Sequence, residues 1–234
     1  MEAYDPRRSL SSLARYIRIL LHVSGLACFT ASFVWLPNIT NPLHNGFGGS
    51  FQFLTIIGLA MSTITFGVGI LTDVTPRPEL LALRGLLSLC ATTLELLIGV
   101  LYWGCRAIDK RLVVPPGHEV PFIPDFGFHA VPAIVLVLDF MTLCPPWFVS
   151  ASQALGLGLL MTISYWAWIE YCFFHNGWYP YPFLTSLSLW KKLLICTTFT
   201  VLIMGSALAL QWTHAQMHKS GYHRKTTSDP AKVE

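Results

Sequence analysis

The sequence predicts an all-α protein, a polytopic membrane helix bundle of about six transmembrane helices. Three observations lead there. Of the 234 residues, 53% are hydrophobic and only 12% are charged, and the mean hydropathy is +0.55. A soluble domain carries about 25% charged residues, so this chain has roughly half the charged side chains that a water-facing surface uses. The apolar residues also fall into runs of the length that crosses a hydrocarbon layer of about 30 Å as a helix satisfying its own backbone hydrogen bonds. The same figures exclude other classes. The 13% aromatic content is foreign to a disordered chain, and a net charge of +3 with dispersed basic residues gives nucleic acid nothing to bind.

The runs lie at 17–36, 51–72, 81–104, 128–144, 152–174 and 193–213. The first is a retained helix rather than a signal peptide, because it is long for a signal core and Val34-Trp35-Leu36-Pro37 makes a poor cleavage site. Punctuation delimits the others. The second run ends before 73–79 with Pro76 and Pro78, and the third before 106–125 with Pro115, Pro116 and Gly117. Cys144-Pro145-Pro146 closes the fourth, and 176–182 closes the fifth. The expected organisation is a cytoplasmic segment 1–16, a six-helix transmembrane domain 17–213 and a polar cytoplasmic tail 214–234.

Basic residues set the expected orientation. With the N-terminus cytoplasmic, that side holds Arg7, Arg8, Arg15, Arg18, Arg77, Arg84, Lys219, Arg224, Lys225 and Lys232; the other holds Arg106, Lys110, Arg111, Lys191 and Lys192. Trp35, Trp103, Trp147, Trp178, Trp190 and Trp212 fall near span ends, where an indole buries its ring and keeps its N–H wet. The sequon Asn38-Ile39-Thr40 lies close to the membrane in the first loop, on the expected luminal side.

Polar residues inside the spans are the informative ones, because a charge at mid-bilayer costs at least ~2.5–3.5 kcal/mol on insertion scales. They are His22, Gln52, Thr55, Arg84, Glu95, Asp125, His129, Asp139 and Glu170. Spans two and four start on the same side, so Thr55 and His129 share a depth and can meet across a helix pair. Asn176-Gly177-Trp178-Tyr179-Pro180-Tyr181-Pro182 returns to that face as a rigid aromatic lid. Asp139, ten residues past His129 and about 15 Å along the axis, is assigned instead to a buried structural ion pair with Arg84. Asp125, four residues before His129, reads first as an N-cap of span four and second as the group that orients the imidazole.

Each candidate has a plain structural reading beside it. A threonine in a membrane helix commonly bonds its hydroxyl to the carbonyl one turn back, and His129 could be an interfacial histidine. Histidine as a residue type is the usual general base, which favours that role. His214 and His218, with His223 beyond, lack a carboxylate or cysteine nearby to complete a metal site, so no metal and no cofactor is expected. The cysteines show no C-x-x-C spacing and read as packing residues, with Cys105 and Cys172 as one pairing to check. There is no G-x-S-x-G elbow, P-loop, H-E-x-x-H or dinucleotide fingerprint, and no pair of broken spans of the transporter kind.

Four segments in register with the six spans resemble a known family. They are Phe51-Gln52-Phe53-Leu54-Thr55, Leu83-Arg84, Gly127-Phe128-His129 with Asp139 ten residues on, and Gly177-Trp178-Tyr179-Pro180-Tyr181-Pro182-Phe183-Leu184. Over about 15–212 the chain resembles the androgen-induced-protein family, which includes the androgen-dependent regulator of tissue-factor-pathway inhibitor. The resemblance implies an integral membrane threonine hydrolase of fatty acid esters of hydroxy fatty acids. The family's nucleophile falls on Thr55 and its base on His129. Pro132, the first-loop run Gly46-Phe47-Gly48-Gly49 and the longer tail after Trp212 depart from the family pattern.

In that chemistry His129 takes the Thr55 proton as the oxygen attacks the ester, and Gln52, Asn176, Tyr179 and Tyr181 are the oxyanion or substrate-binding donors to test. The expected partners are the lipid ester and membrane lipids, with no nucleic acid. The expected membrane is the endoplasmic reticulum, with the plasma membrane as alternative, although Ala231-Lys232-Val233-Glu234 matches no retrieval signal. The competing class is a non-enzymatic bundle, lipid-binding or ion- or proton-conducting, in which Arg84, Glu95, Asp139 and Glu170 line a polar path.

Overall fold

The structure is a computed structural model and describes residues 12–227 apart from 40, 115–116 and 143–148. The 1–11 segment, Thr40 of the sequon, Pro115, Pro116, Cys144-Pro145-Pro146, Trp147 and Ala231-Lys232-Val233-Glu234 therefore lie outside the described residues, as do the side chains of His218 and His223. Among the described residues, seven α-helices account for six segments long and apolar enough to span a membrane. They are α1 (Ser12–Trp35), α2 (Leu54–Val74), α3 (Pro78–Ile108), α4 (Phe122–His129), α5 (Val131–Thr142), α6 (Ala151–Asn176) and α7 (Leu189–Thr227). No strand occurs among the described residues, and the protein is an integral membrane helix bundle.

Helix α3 is the axis. It packs against α2, α4, α5 and α7, and its buried face carries Leu89, Leu94, Leu97 and Ile98. Helix α1 closes on α2 with Phe29 and Phe66 edge to face, and α6 pairs with α7. Large apolar residues such as Val34, Ile123, Phe174 and Trp190 face outward, as suits a lipid-facing surface. The helix boundaries follow local chemistry. Ser150 and Gln153 form a reciprocal capping box at the start of α6, and Gly177 ends that helix at φ +75°, a conformation glycine adopts without a Cβ clash. Pro78 begins α3, where a missing N–H costs nothing.

The fourth span differs from the expected 128–144. It begins at Phe122 and is broken in two at Ala130 (φ −131°, ψ −45°). Pro132 has no N–H to offer the Phe128 carbonyl, so the ladder is interrupted there. Pro124 falls in the first turn, where its missing donor is harmless, and Asp125 is admitted because Arg106 neutralises it. The last helix also runs on past 213, to Thr227.

Two buried polar clusters hold the bundle away from the Thr55 end. Arg84 Nη2 lies 2.7 Å from Asp139 Oδ1, the ion pair expected from the sequence. His22 bridges this pair to another carboxylate, with Nδ1 2.8 Å from Asp73 Oδ2 and Nε2 3.0 Å from Asp139 Oδ1. Arg18 Nε stands 3.0 Å from Asp73 Oδ1 as an ion-pair contact. Glu95 is separate: its Oε1 accepts from Ser62 Oγ at 3.0 Å.

Candidate active site

Thr55 is the second residue of α2, which fixes the state of its hydroxyl. Thr63, Thr65, Thr92 and Thr93 each donate to a carbonyl three or four residues back. For Thr55 that carbonyl belongs to Phe51, which lies before the helix and accepts from Trp168 Nε1 at 2.8 Å. The Thr55 hydroxyl has no hydrogen-bond partner among the described residues. Its backbone N–H, in the first helical turn, also has none. The preceding N–H, of Leu54, donates to the Tyr181 hydroxyl at 3.2 Å.

His129 ends α4 at the break, and its orientation is set by acceptors on one side. Nδ1 lies 3.0 Å from the Asp125 carbonyl oxygen and 3.1 Å from Asp125 Oδ1. Two acceptors facing Nδ1 fix the proton there and leave Nε2 with its lone pair. The ring lies flat on Tyr102, with centroids 3.4 Å apart and planes at 4°.

Asp125 is fully buried, and the N-cap reading fails. The cap position is Pro121, with no side-chain cap bond, and Asp125 sits inside the first turn. Its carboxylate is instead drawn sideways by α3. It accepts from the Tyr102 hydroxyl through Oδ1 and from Arg106 Nη1 through Oδ2 at 2.6 Å, and Arg106 Nη1 also donates to the Tyr102 oxygen at 3.0 Å. Tyr102 and Arg106, one turn apart on α3, were not singled out from the sequence. The i, i+4 spacing was the available signal, since it puts a phenol and a cation on one helix face.

Two cavities meet at Thr55. The larger, of about 140 Å³, runs between α3, α6 and α7 and is walled by residues such as Leu97, Ile98, Met161, Phe199 and Ile203. The smaller, of about 90 Å³, is lined by Thr55 and His129 together with Asn41, His44, His118 and Phe128. Thr55, Tyr102 and Val113 line both. Thr55 and His129 thus border one space, and an apolar cavity lies beside them.

Of the other predicted donors, Tyr181 stays beside Thr55, and Gln52, Asn176 and Tyr179 are engaged with other groups. Gln52 is fully buried and its amide is committed: Nε2 donates to the carbonyls of Leu43 and Gly49, and Oε1 accepts from Asn176 Nδ2. Asn176 Oδ1 accepts from the Phe47 N–H and its Nδ2 donates to the Phe47 carbonyl, so these two amides latch the first loop to the end of α6. Tyr179 donates to Glu170 and accepts from Lys192 Nζ at 2.7 Å, outside both cavities. Tyr181 lines the apolar cavity. Cys105 and Cys172 are free thiols, and His214 packs against the Phe140 ring. Arg84 with Asp139, Glu95 with Ser62, and Glu170 with Tyr179 form three separate clusters rather than one polar path.

A family model described as FAR-17a/AIG1-like protein matches residues 17–215. The chain is 27% identical over 217 residues to a UPF0641 membrane protein of Schizosaccharomyces pombe, a match covering 91% of this chain and 97% of that one. It is 26% identical over 184 residues to the androgen-induced gene 1 protein of Homo sapiens, covering 70% and 76%. To the androgen-dependent TFPI-regulating protein of Mus musculus it is 27% identical over 169 residues, covering 68% and 73%. No solved structure matches the chain significantly. With one family model spanning all six membrane segments, the chain belongs to the FAR-17a/AIG1-like protein family.

Proposed function

We propose that the protein is an intramembrane carboxylic ester hydrolase that cleaves fatty acid esters of hydroxy fatty acids, with Thr55 as nucleophile and His129 as general base. One observation carries the reading. Thr55, whose hydroxyl has no partner among the described residues, and His129 line the same cavity, and Asp125 faces Nδ1 of that imidazole.

In this mechanism His129 Nε2 takes the proton of Thr55 Oγ1 as the oxygen attacks the ester carbonyl. The tetrahedral oxyanion is stabilised by the unpartnered N–H of Thr55 itself, reinforced by the positive end of the α2 dipole. His129 then gives the proton to the departing hydroxy-acid oxygen, leaving the acyl group on Thr55. Water activated by the same imidazole attacks the acyl carbonyl, and the fatty acid leaves as Thr55 recovers its proton. Asp125 keeps the tautomer and stabilises the imidazolium that forms at each step.

Placing this chemistry in a bilayer has a physical rationale. The ester reaches a site near the membrane edge while its acyl chain stays in apolar surroundings, first the lipid and then the cavity between α3, α6 and α7. We assign the protein to the endoplasmic reticulum membrane as part of the same proposal.

Purified wild type, Thr55→Ala and His129→Ala, incubated with a panel of lipid esters, test it. Both variants should fold and lose turnover. Near-normal hydrolysis by either overturns the assignment, and ion flux in liposomes that depends on Asp139 or Glu95 favours a conducting bundle instead.

A further inference from the structure

The smaller cavity contains polar groups that the hydrolytic steps do not use. Asn41 is buried; its Oδ1 accepts from the Leu43 N–H at 3.1 Å, and its Nδ2 has no partner among the described residues. His44 is stacked on Phe53 with centroids 4.4 Å apart; its Nδ1 is 2.8 Å from Ser50 Oγ, and its Nε2 has no hydrogen-bond partner among the described residues. His118 Nδ1 is shielded from solvent without a hydrogen-bond partner among the described residues. All three side chains line the cavity that holds Thr55 and His129, and Ile39, Val113, Val114 and Val120 supply apolar wall.

Nitrogens left unpaired on a partly apolar wall favour a ligand that pairs with them, and the Asn41 amide donates, as do the imidazoles in the tautomers that protonate His44 Nε2 and His118 Nδ1. Among acceptor-only ligand groups an anion, a carboxylate or a phosphate, gains most from several donors, because hydrogen bonds to a charged acceptor are the stronger ones. The lining decides between them. Among the described residues no lysine or arginine borders the cavity, and burial lowers His44 from its ordinary value, which keeps it uncharged at neutral pH. A phosphate with a charge near −2 is usually met by permanent cations, whereas neutral donors suffice for a singly charged carboxylate.

We propose that Asn41, His44 and His118 form a subsite for the free carboxylate on the alcohol part of the ester. This rests on the hydrolase reading above and adds direction to it. The acyl part lies in the apolar cavity, the hydroxy-acid part lies in the smaller one, and the scissile carbonyl falls where the two meet at Thr55.

The test uses the full-length protein in lipid nanodiscs and a non-hydrolysable ether analogue of the ester, as free acid and as methyl ester. Wild type should bind the free acid about tenfold or more tightly than the methyl ester, as hydrogen bonds to a charged group imply. His118→Leu and His44→Phe, the latter keeping the stack on Phe53, should each bring the ratio toward one. Asn41→Asp keeps the acceptor for the Leu43 N–H while adding a negative charge, and should reverse the preference. Equal binding of both compounds by wild type, or a ratio that survives all three substitutions, overturns the subsite. A single-chain lipid phosphate that displaces the ether acid as well as a fatty acid does overturns the choice of carboxylate. Because the ether cannot react, these results stand apart from hydrolysis. Thr55→Ala that still cleaves the ester would sink the catalytic reading and leave the binding ratio to judge the subsite.

Discussion

The His129 imidazole lies flat on the Tyr102 phenol, with ring centroids 3.4 Å apart, and both side chains converge on the Asp125 carboxylate. The stack fixes the plane of the imidazole and the carboxylate fixes its rotation, so Nε2 has little freedom in where it presents its lone pair. Arg106 completes the arrangement by compensating the buried charge. Two helix segments, α3 and α4, thereby hold one nitrogen at the edge of the Thr55 cavity.

Asp125→Asn preserves shape and removes the charge. The expected result is a fall in kcat of roughly 10²–10⁴-fold with KM little changed, by analogy with removal of the carboxylate from a hydrolase triad. Reading kcat per folded molecule beside the thermal midpoint separates positioning from simple destabilisation. An unchanged kcat per folded molecule would remove Asp125 from the mechanism.

Gln52→Ala and Asn176→Ala test a different role from the one the sequence suggests. Each breaks the latch between the first loop and the end of α6 and leaves buried groups unpaired, at a cost of about 1–3 kcal/mol. The thermal midpoint should fall while kcat per folded molecule stays close to wild type. A hundredfold loss of kcat at unchanged stability would make these amides oxyanion donors after all.

Arg84→Met should be among the most damaging substitutions outside the site. It removes the permanent cation from fully buried Asp139, leaving only His22 Nε2 beside that carboxylate, and should cost about 3–5 kcal/mol. Replacing both partners, Arg84→Met with Asp139→Leu, should recover part of that loss because no unpaired charge remains. Thermal melts of the three proteins in one detergent decide it, and a double variant less stable than Arg84→Met alone would contradict the ion-pair account.

Much of this architecture is legible in the chain. Apolar runs locate the six spans, because hydrocarbon forces a helix to be long and apolar whatever its neighbours are. The pairing of Arg84 with Asp139 follows from opposite charges at one depth. Thr55 and His129 do line one cavity, but span four starts at Phe122, so His129 reaches it from the last residue of α4 rather than from the first turn that the apolar run suggests. Asp125 is misread as a cap because its partners, Tyr102 and Arg106, come from another helix and leave no periodic trace near residue 125. The commitment of the Gln52 amide leaves no sequence signal either, because its acceptors are loop carbonyls, which no side-chain pattern reveals. The break at Ala130 was written in Pro132, but the continuous apolar run hid it.

The nucleophile itself is the most direct point of test. A fluorophosphonate that modifies activated hydroxyls should be incubated with purified protein, digested and mapped by mass spectrometry. The account predicts one adduct on the peptide containing Thr55, lost in Thr55→Ala and strongly reduced in His129→Ala. An adduct on another residue, or undiminished labelling of Thr55→Ala, would contradict it.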